Sequence, residues 1–223
     1  MCHGLTGPTH DGTDEWFLDN PAIRTFIGEV QRIRAEEPDP TRVVSLIEPA
    51  FQELLADPTW LPDHFAEPSA ESGMGSGIGM WLLYRAGDGN LAFSSLVVPP
   101  GASTPVHDHL AWGIVGLYRG TQDEVVFTRT DDERVDGAAT LETFQHNSLT
   151  PGDLYQLLPE VDIHQVRTTS DVTSVSLHLL GNDNGCIMRH RFHPDQGRVE
   201  PFKSGWLNVP CAAQASGTSQ GME

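Results

Sequence analysis

Short apolar runs separated by turn residues occupy the chain from about residue 80 to 180, and this spacing constrains the fold more than any other feature. The runs expected to be strands cover 81–84, 91–98, 112–118, 124–128, 154–158, 164–166 and 174–180. Turn signals such as Gly87-Asp88-Gly89-Asn90 and Pro151-Gly152-Asp153 lie between them. Many short strands at this spacing predict a mainly β fold, either a sandwich or a barrel.

Two helices are predicted ahead of the β region. Asn20-Pro21 is typical of an N-cap followed by proline at the first helical position, and apolar residues at helical spacing continue to about residue 36. Asp39-Pro40 repeats the start signal, and a second helix follows it with a bend expected near Pro49. We therefore expect a flexible lead-in over 1–19, a helical segment and linker over 20–79, a β-barrel over 80–211 and a disordered tail over 212–223.

The composition argues against several partners. The formal net charge of −18 is unfavourable for binding nucleic acid or an anionic membrane surface. No apolar run approaches the roughly 20 residues that span a bilayer, and the first residues do not resemble a signal peptide. The cysteines Cys2, Cys186 and Cys211 are odd in number and widely scattered, and no C-x-x-C zinc motif is present. We expect a reducing, cytoplasmic setting; the sequence leaves the oligomeric state open.

Three histidines form the candidate metal site. His107 and His109 alternate along a predicted strand, so both imidazoles should lie on one face. His164 follows a turn-then-strand pattern that would bring it in from a neighbouring strand. Imidazole binds iron, nickel, copper and zinc, and three neutral rings leave coordination positions open. The alternative, three ordinary core or surface histidines, does not account for this spacing.

The residues around the first two histidines resemble the first motif of the cupin superfamily. Gly101, His107, His109 and Gly120 stand at the spacing of that motif. Gly113 occupies the place where many cupins carry a metal-binding glutamate. Without that carboxylate the site resembles the thiol dioxygenase branch, which contains cysteine dioxygenase and bacterial enzymes acting on 3-mercaptopropionate.

The residues before His164 resemble the second cupin motif. Gly152, Pro159 and His164 match it, whereas Val161 stands where a glycine is usual. The resemblance covers roughly residues 80–193. It implies a double-stranded β-helix, or jelly roll, preceded by two α-helices, with His107, His109 and His164 as the metal ligands.

The same branch carries a Ser-x-His-x-Tyr run after the third ligand. Here the matching residues are Ser176, His178 and Leu180. The resemblance implies a catalytic role for Ser176 and His178, because a hydroxyl can orient an imidazole that passes on a proton or orients a water. A buried pair satisfying each other is the alternative. Leu180 departs from the family pattern, since leucine can do neither task.

Substrate-binding residues are less sharply indicated. Arg189 stands where the 3-mercaptopropionate enzymes place an arginine for the substrate carboxylate, and Arg85 lies on the first predicted strand of the barrel. Trp112 could wall the pocket. Surface or core roles are open for all three. Cys186 does not match the cross-linking cysteine of the mammalian enzymes, and Gly113 lies near that place, so no thioether cross-link is expected.

The resemblance implies an Fe(II)-dependent dioxygenase, with Ni(II) as the alternative ion, that oxidises the sulfur of a small thiol-carboxylate with O2. Its partners would be that thiol and O2. Leu180 keeps a second possibility open, a cupin oxidase that converts L-cysteine to a product beyond the sulfinate by sulfonamide-type chemistry. A non-catalytic cupin that binds a metal or ligand, and a three-histidine zinc hydrolase, are further alternatives.

Overall fold

The computed structural model describes residues 12–71, 73–158 and 161–211. The predictions made for residues 1–11 and for the tail over 212–223 lie outside the described residues. Within the expected lead-in, residues from 12 onward form hydrogen bonds with the rest of the fold. Asp14 accepts hydrogen bonds from the Tyr84 hydroxyl at 2.7 Å and from the Gly87 amide at 2.9 Å.

Both predicted helices are confirmed. Helix α1 spans Pro21–Glu36 and helix α2 spans Pro40–Ala56. The Asn20 side chain accepts from the Ile23 amide at 3.1 Å, and the Asp39 side chain accepts from the Thr41 amide at 3.0 Å. Each start signal therefore satisfies a backbone donor that the first turn leaves without a helical partner.

Every predicted strand run overlaps a strand in the structure. Within the described residues the strands are β1 Glu15–Trp16, β2 Gly79–Arg85, β3 Ala92–Val98, β4 Val106–His107, β5 Gly113–Arg119, β6 Gln122–Arg129, β7 Leu141–Leu149, β8 Leu154–Leu157, β9 Ile163–Thr168, β10 Ser174–Leu180, β11 Arg189–His193 and β12 Arg198–Phe202.

The strands form two six-stranded antiparallel sheets. Sheet A has the order β1-β2-β3-β10-β5-β8, and sheet B has the order β12-β11-β4-β9-β6-β7. The eight strands from β3 to β10 pass between the sheets at every connection except the β6–β7 hairpin, which stays within sheet B. As a result, β3-β10-β5-β8 stands against β4-β9-β6-β7. This is the strand order of a jelly roll, so the expected double-stranded β-helix is confirmed.

The two helices cover the outer face of sheet A. Their buried side chains share one apolar cluster with outward-facing residues of that sheet. The inner face of sheet A turns toward sheet B, and the polar site described below lies between them. Neither helix of the described chain has the length and hydropathy needed to cross a bilayer.

Two of the three scattered cysteines are paired, which was not predicted from the sequence. Cys186 and Cys211 form a disulfide that joins the segment after β10 to the segment after β12. Their separation of 25 residues along the chain hides this pairing from a reading of sequence spacing, because it depends on where the two segments meet in space.

Candidate metal centre

The three predicted ligands meet in the interior of the barrel. One ligand atom of each of His107, His109 and His164 lies within 4.8 Å of the others, and all three side chains are buried. His107 on β4 pairs directly with His164 on β9. Strand β4 ends at His107, so His109 lies just beyond the strand rather than within it as the alternation predicted.

Each of the three rings uses its Nδ1 atom for a contact directed away from the cluster. These contacts are His107 to the Pro105 carbonyl at 2.9 Å, His109 to Asp162 Oδ1 at 2.9 Å and His164 to Glu124 Oε1 at 2.7 Å. Carbonyls and carboxylates only accept, so Nδ1 carries the proton and Nε2 keeps its lone pair. His164 Nε2 is buried without a hydrogen-bond partner. This donor set fits a first-row metal ion.

Burial favours the neutral form of His107 and His109. It lowers the pKa of His107 well below the usual histidine value, and the nearby Arg189 guanidinium acts in the same direction. Burial also lowers the pKa of His109, although the Asp162 carboxylate opposes it. Neutral imidazole is the form that binds metals, so the site is ready to bind at neutral pH.

Asp162 fixes His109 beyond the end of the strand. Its carboxylate accepts from the His109 amide at 3.0 Å and the Leu110 amide at 2.7 Å, in addition to the His109 ring. Leu110 has φ of 54°, a left-handed conformation that is unfavourable for leucine. Asn182 Nδ2 donates to the His109 carbonyl at 3.0 Å. These contacts hold a strained backbone in the shape that aims the second ligand.

Glu124 holds the His164 ring in a similar way, by accepting its Nδ1 hydrogen bond. It lies on β6, is almost fully buried, and accepts from Asn147 Nδ2 at 2.8 Å with its other carboxylate oxygen. Burial alone would raise the pKa of Glu124, but hydrogen bonds from His164 and Asn147 bring it below its ordinary value. Sequence reasoning missed this residue and Asp162. The sequence did contain one signal for Glu124, because it is an acidic residue within a predicted strand of the barrel.

Gly113 leaves no room for a fourth protein ligand. A Cβ atom at this position would lie 2.5 Å from Leu180 Cδ2 and 2.6 Å from the Leu179 carbonyl oxygen. Gly113 and Leu180 are directly paired across β5 and β10. The two departures from the cupin pattern therefore belong together, because the Leu180 side chain occupies space that a larger residue 113 would need.

A small cavity adjoins the histidines. It is lined by Met74, Met80, Ser94, Leu96, His107, His109, His178, Leu180, Asn184 and Arg189. About 10 Å³ of it can be reached by the centre of a water molecule, which is room for about one water. A ligand larger than one water therefore enters this space only when the surrounding side chains move.

Arg189 brings a cation to this cavity. Its side chain is 1% exposed, donates from Nη1 to the Asp108 carbonyl at 2.9 Å, and donates from Nη2 to Ser204 Oγ at 3.0 Å. Its Nε atom is buried without a partner, and no carboxylate of the described residues forms an ion pair with it. Burial lowers the pKa of Arg189 to about 10, so the group stays charged at neutral pH.

His178 also lines the cavity, and Ser176 lies next to it. Their side chains share a hydrogen bond of 3.0 Å between Ser176 Oγ and His178 Nε2, and the His178 ring centroid lies 6.5 Å from that of His109. Burial lowers the pKa of His178 well below its ordinary value. A neutral imidazole therefore stands beside the cluster, with a hydroxyl fixing its orientation.

Arg85 and Trp112 lie elsewhere. Arg85 forms ion pairs with Glu15 at 2.6 Å and with Asp183 at 2.8 Å, and it does not line the cavity. Trp112 packs against the backbone of Gly181 and against the apolar cluster on the helical side of sheet A. Of the candidate substrate-binding side chains, Arg189 alone is among the cavity-lining residues that the structure describes.

No protein-family model matches the chain. Among solved structures, it is similar to a cupin 2 domain-containing protein from Halorhodospira halophila, with 20% identity over 53% of this chain and 72% of that one and a TM-score of 0.39. A cupin 2 conserved barrel domain protein from Salinispora arenicola gives 20% identity, 51% and 83% coverage and a TM-score of 0.36. An oxalate oxidase gives 13% identity and a TM-score of 0.41; 59% of this chain is covered, and the match spans only 63% of the oxidase chain. The strand order, rather than these likenesses, establishes the jelly roll.

Proposed function

We propose that this protein is a cytoplasmic, metal-dependent dioxygenase of small thiols that carry a carboxylate, with His107, His109 and His164 as the ligands of Fe(II) or, alternatively, Ni(II). The observation that supports this proposal most is Arg189. A buried guanidinium without a carboxylate partner is unfavourable unless a ligand supplies the missing negative charge. It lines the same cavity as two of the three histidines.

The distribution of charge favours an anionic substrate. Asp162 and Glu124 are hydrogen-bonded to the ligand rings and offset the charge of a divalent ion. None of the described residues that line the cavity is acidic. Asp108 and Asp162 act on the Arg189 charge without forming an ion pair with it, and its Nε donor has no partner. A substrate carboxylate would match these donors of the guanidinium.

The proposed reaction is R–SH + O2 → R–SO2H, in which both oxygen atoms end on sulfur. A bound redox-active ion would supply Lewis acidity toward the thiol and the electronic pathway between sulfur and O2. Arg189 would hold the carboxylate and fix the direction of the thiol. When His178 Nε2 donates to Ser176, the Nδ1 atom keeps a lone pair that can accept a hydrogen bond from the thiol. The small cavity would exclude bulk water.

The test is oxygen uptake by protein loaded with Fe(II) or Ni(II). We expect uptake with 3-mercaptopropionate or cysteine, a sulfinate product by mass spectrometry, and little uptake with cysteamine, which lacks the carboxylate. Arg189→Met should raise KM, whereas Arg191→Met on the same strand serves as the matched control. Absence of uptake with every thiol and either ion would contradict the proposal, as would equal KM values for the two variants.

Leu180 favours one second candidate. Leu180 presents an apolar side chain to the cavity at the position where the thiol dioxygenase branch carries a tyrosine hydroxyl. Oxidation of cysteine could therefore give a product other than the sulfinate. A sulfinate product from L-cysteine keeps its carboxylate, whereas sulfonamide-type chemistry loses it, and product mass separates the two. Tight metal binding with every thiol recovered unchanged would instead indicate a non-catalytic binding protein.

A further inference from the structure

The loop between β10 and β11, residues 181–188, is part of the wall of the metal site. Asn184 Nδ2 donates to the His109 carbonyl at 3.1 Å, and its side chain lines the cavity. Asn182 donates to the same carbonyl. A displacement of this loop would therefore change both the cavity and the backbone that carries a metal ligand.

A second segment, residues 203–211, crosses the same end of the barrel; we name it the C-terminal strap. Ser204 accepts the hydrogen bond from Arg189 Nη2. Further along, the Leu207 amide donates to the Met80 carbonyl at 2.9 Å. Asn208 binds both backbone groups of Leu82, accepting at 3.0 Å and donating at 2.8 Å. The strap thus supplies one of the two hydrogen bonds that hold the Arg189 guanidinium.

The loop and the strap are joined to each other by three kinds of contact. The Gly205 amide donates to the Gly185 carbonyl at 2.8 Å. Trp206 lies against the Gly185 backbone and donates from Nε1 to Asp183 Oδ1 at 2.7 Å. Beyond these contacts, the Cys186–Cys211 disulfide closes the connection covalently.

We propose that the Cys186–Cys211 disulfide is a redox latch that keeps the C-terminal strap across the cavity and so holds Arg189 in place for an anionic ligand. This inference rests on the proposed function for the role of Arg189. With the latch open, the strap keeps its hydrogen bonds and the apolar packing of Trp206 and Val209 but loses its covalent tie to the loop. Arg189 then gains freedom that ligand binding must remove. Metal binding is unaffected, because opening the bond frees the strap while the loop keeps the hydrogen bonds from Asn182 and Asn184 to the His109 carbonyl.

Opening the latch is a thiol–disulfide exchange. Two thiols R–SH reduce the Cys186–Cys211 bond, giving two cysteine thiols and one R–S–S–R, with two electrons and two protons transferred to the protein. The reductant is a small thiol of the proposed substrate class or a protein dithiol. Disulfides in a reducing compartment are usually catalytic or redox-sensing, so a latch reconciles this bond with a cytoplasmic setting.

The test compares wild-type protein with Cys186→Ser/Cys211→Ser, each loaded with Zn(II), and uses Cys2→Ser as the matched control that retains the latch. The probe is 3-(methylthio)propionate, a carboxylate that cannot reduce a disulfide, and its affinity is measured by calorimetry. We expect the double variant to bind the probe roughly 3- to 10-fold more weakly, the effect of immobilising one long side chain. Its Zn(II) affinity and the affinities of the Cys2 variant should be unchanged.

Hydrogen exchange provides a readout that does not depend on the proposed function. The Gly205 and Leu207 amides should exchange faster in the double variant and in wild-type protein reduced with a phosphine. Reduction of the wild-type protein gives the same comparison if the double variant fails to fold. Failure of the probe to bind oxidised wild-type protein would count against the proposed function. The hydrogen-exchange rates would still show whether the disulfide holds the strap in place. Unchanged exchange on reduction, or equal probe affinity in both states, would overturn the latch.

Discussion

The two faces of strand β10 show how one sheet serves two purposes. Val175, Leu177 and Leu179 point outward into the apolar cluster shared with α1 and α2. The alternate residues Ser176, His178 and Leu180 face the interior, where His178 and Leu180 line the cavity. One side of the strand therefore contributes to stability and the other to binding, with the division made residue by residue.

The two faces differ in how their side chains are satisfied. On the helical side the contacts are apolar, including an aromatic group in which Phe51 lies 5.6 Å from Phe26 and 6.3 Å from Phe93 between ring centroids. Between the sheets, Glu124, Asp162 and Arg189 are buried, and burying such groups costs free energy unless each is paired. The comparison predicts that damage to the outer face lowers stability, while damage to the inner face lowers affinity.

The largest effect is expected for Phe51→Ala on the outer face. Phe51 is fully buried, so its truncation should lower the free energy of unfolding by about 3–5 kcal/mol. Chemical denaturation measures this change, and a metal titration of the protein that remains folded should give wild-type affinity. Phe144→Ala, at a ring on β7 that is 60% exposed, is the control and should have little effect. A loss of metal affinity in folded Phe51→Ala would show that the two faces are coupled.

The next effect is expected for Glu124→Gln on the inner face. Glutamine keeps the size of the side chain but removes the charge that faces His164, and loss of such a supporting contact typically lowers metal affinity by about 10- to 100-fold. Competition with a chelator measures the affinity, and denaturation without metal should show a much smaller change than for Phe51→Ala.

Asp108→Asn is the matched control for this comparison. Asp108 stands between two metal ligands in the sequence, yet its carboxylate binds His190, with Nδ1 at 2.6 Å, rather than a ligand ring. Its substitution should leave metal affinity near the wild-type value. Equal losses in the Glu124 and Asp108 variants would mean that nearby charge, and not the contact with the ring, determines affinity.

The sequence predicts the outer face better than the inner one. The bounds of α1 and of β10 follow from local signals, namely a cap with proline and a run of apolar residues. The role of Glu124 depends on register instead. His164 pairs with Val126, so Glu124 is a diagonal neighbour of His164 on the adjacent strand. No local pattern contains that relation, and the same holds for Asp162 and for the Cys186–Cys211 pairing.

Polar strands were missed for a related reason. β7 lies at the edge of sheet B and most of its residues are exposed, so it lacks the apolar alternation that marks a half-buried strand. β11 carries charged residues because Arg189 reaches the barrel interior and the strap, while Arg191 donates to the Gly73 carbonyl, and neither packs into an apolar core. Sequence periodicity reports burial among apolar neighbours, whereas β7 is held by its pairing with β6 and β11 by its pairing with β4 and β12.

The smallest effect is expected at His190, a histidine that is half-exposed where the metal ligands are buried. Its hydrogen bond to Asp108 raises the pKa of His190 above the usual value, whereas burial lowers the pKa of His107 and His178. A raised pKa in the folded state means that protonation of His190 stabilises the protein. The contribution should be complete below the unfolded-state pKa of about 6.5 and should disappear as pH rises through the folded-state pKa.

His190→Gln tests this sign. The side chain is 43% exposed, so solvent screening limits the expected loss in unfolding free energy to about 0.5 kcal/mol at low pH. Denaturation of both proteins across pH 5–9 should show a difference that shrinks as pH rises, with metal affinity unchanged. A difference that grows with pH would mean that neutral His190 is the stabilising form, and the contrast between this exposed histidine and the buried ligands would fail.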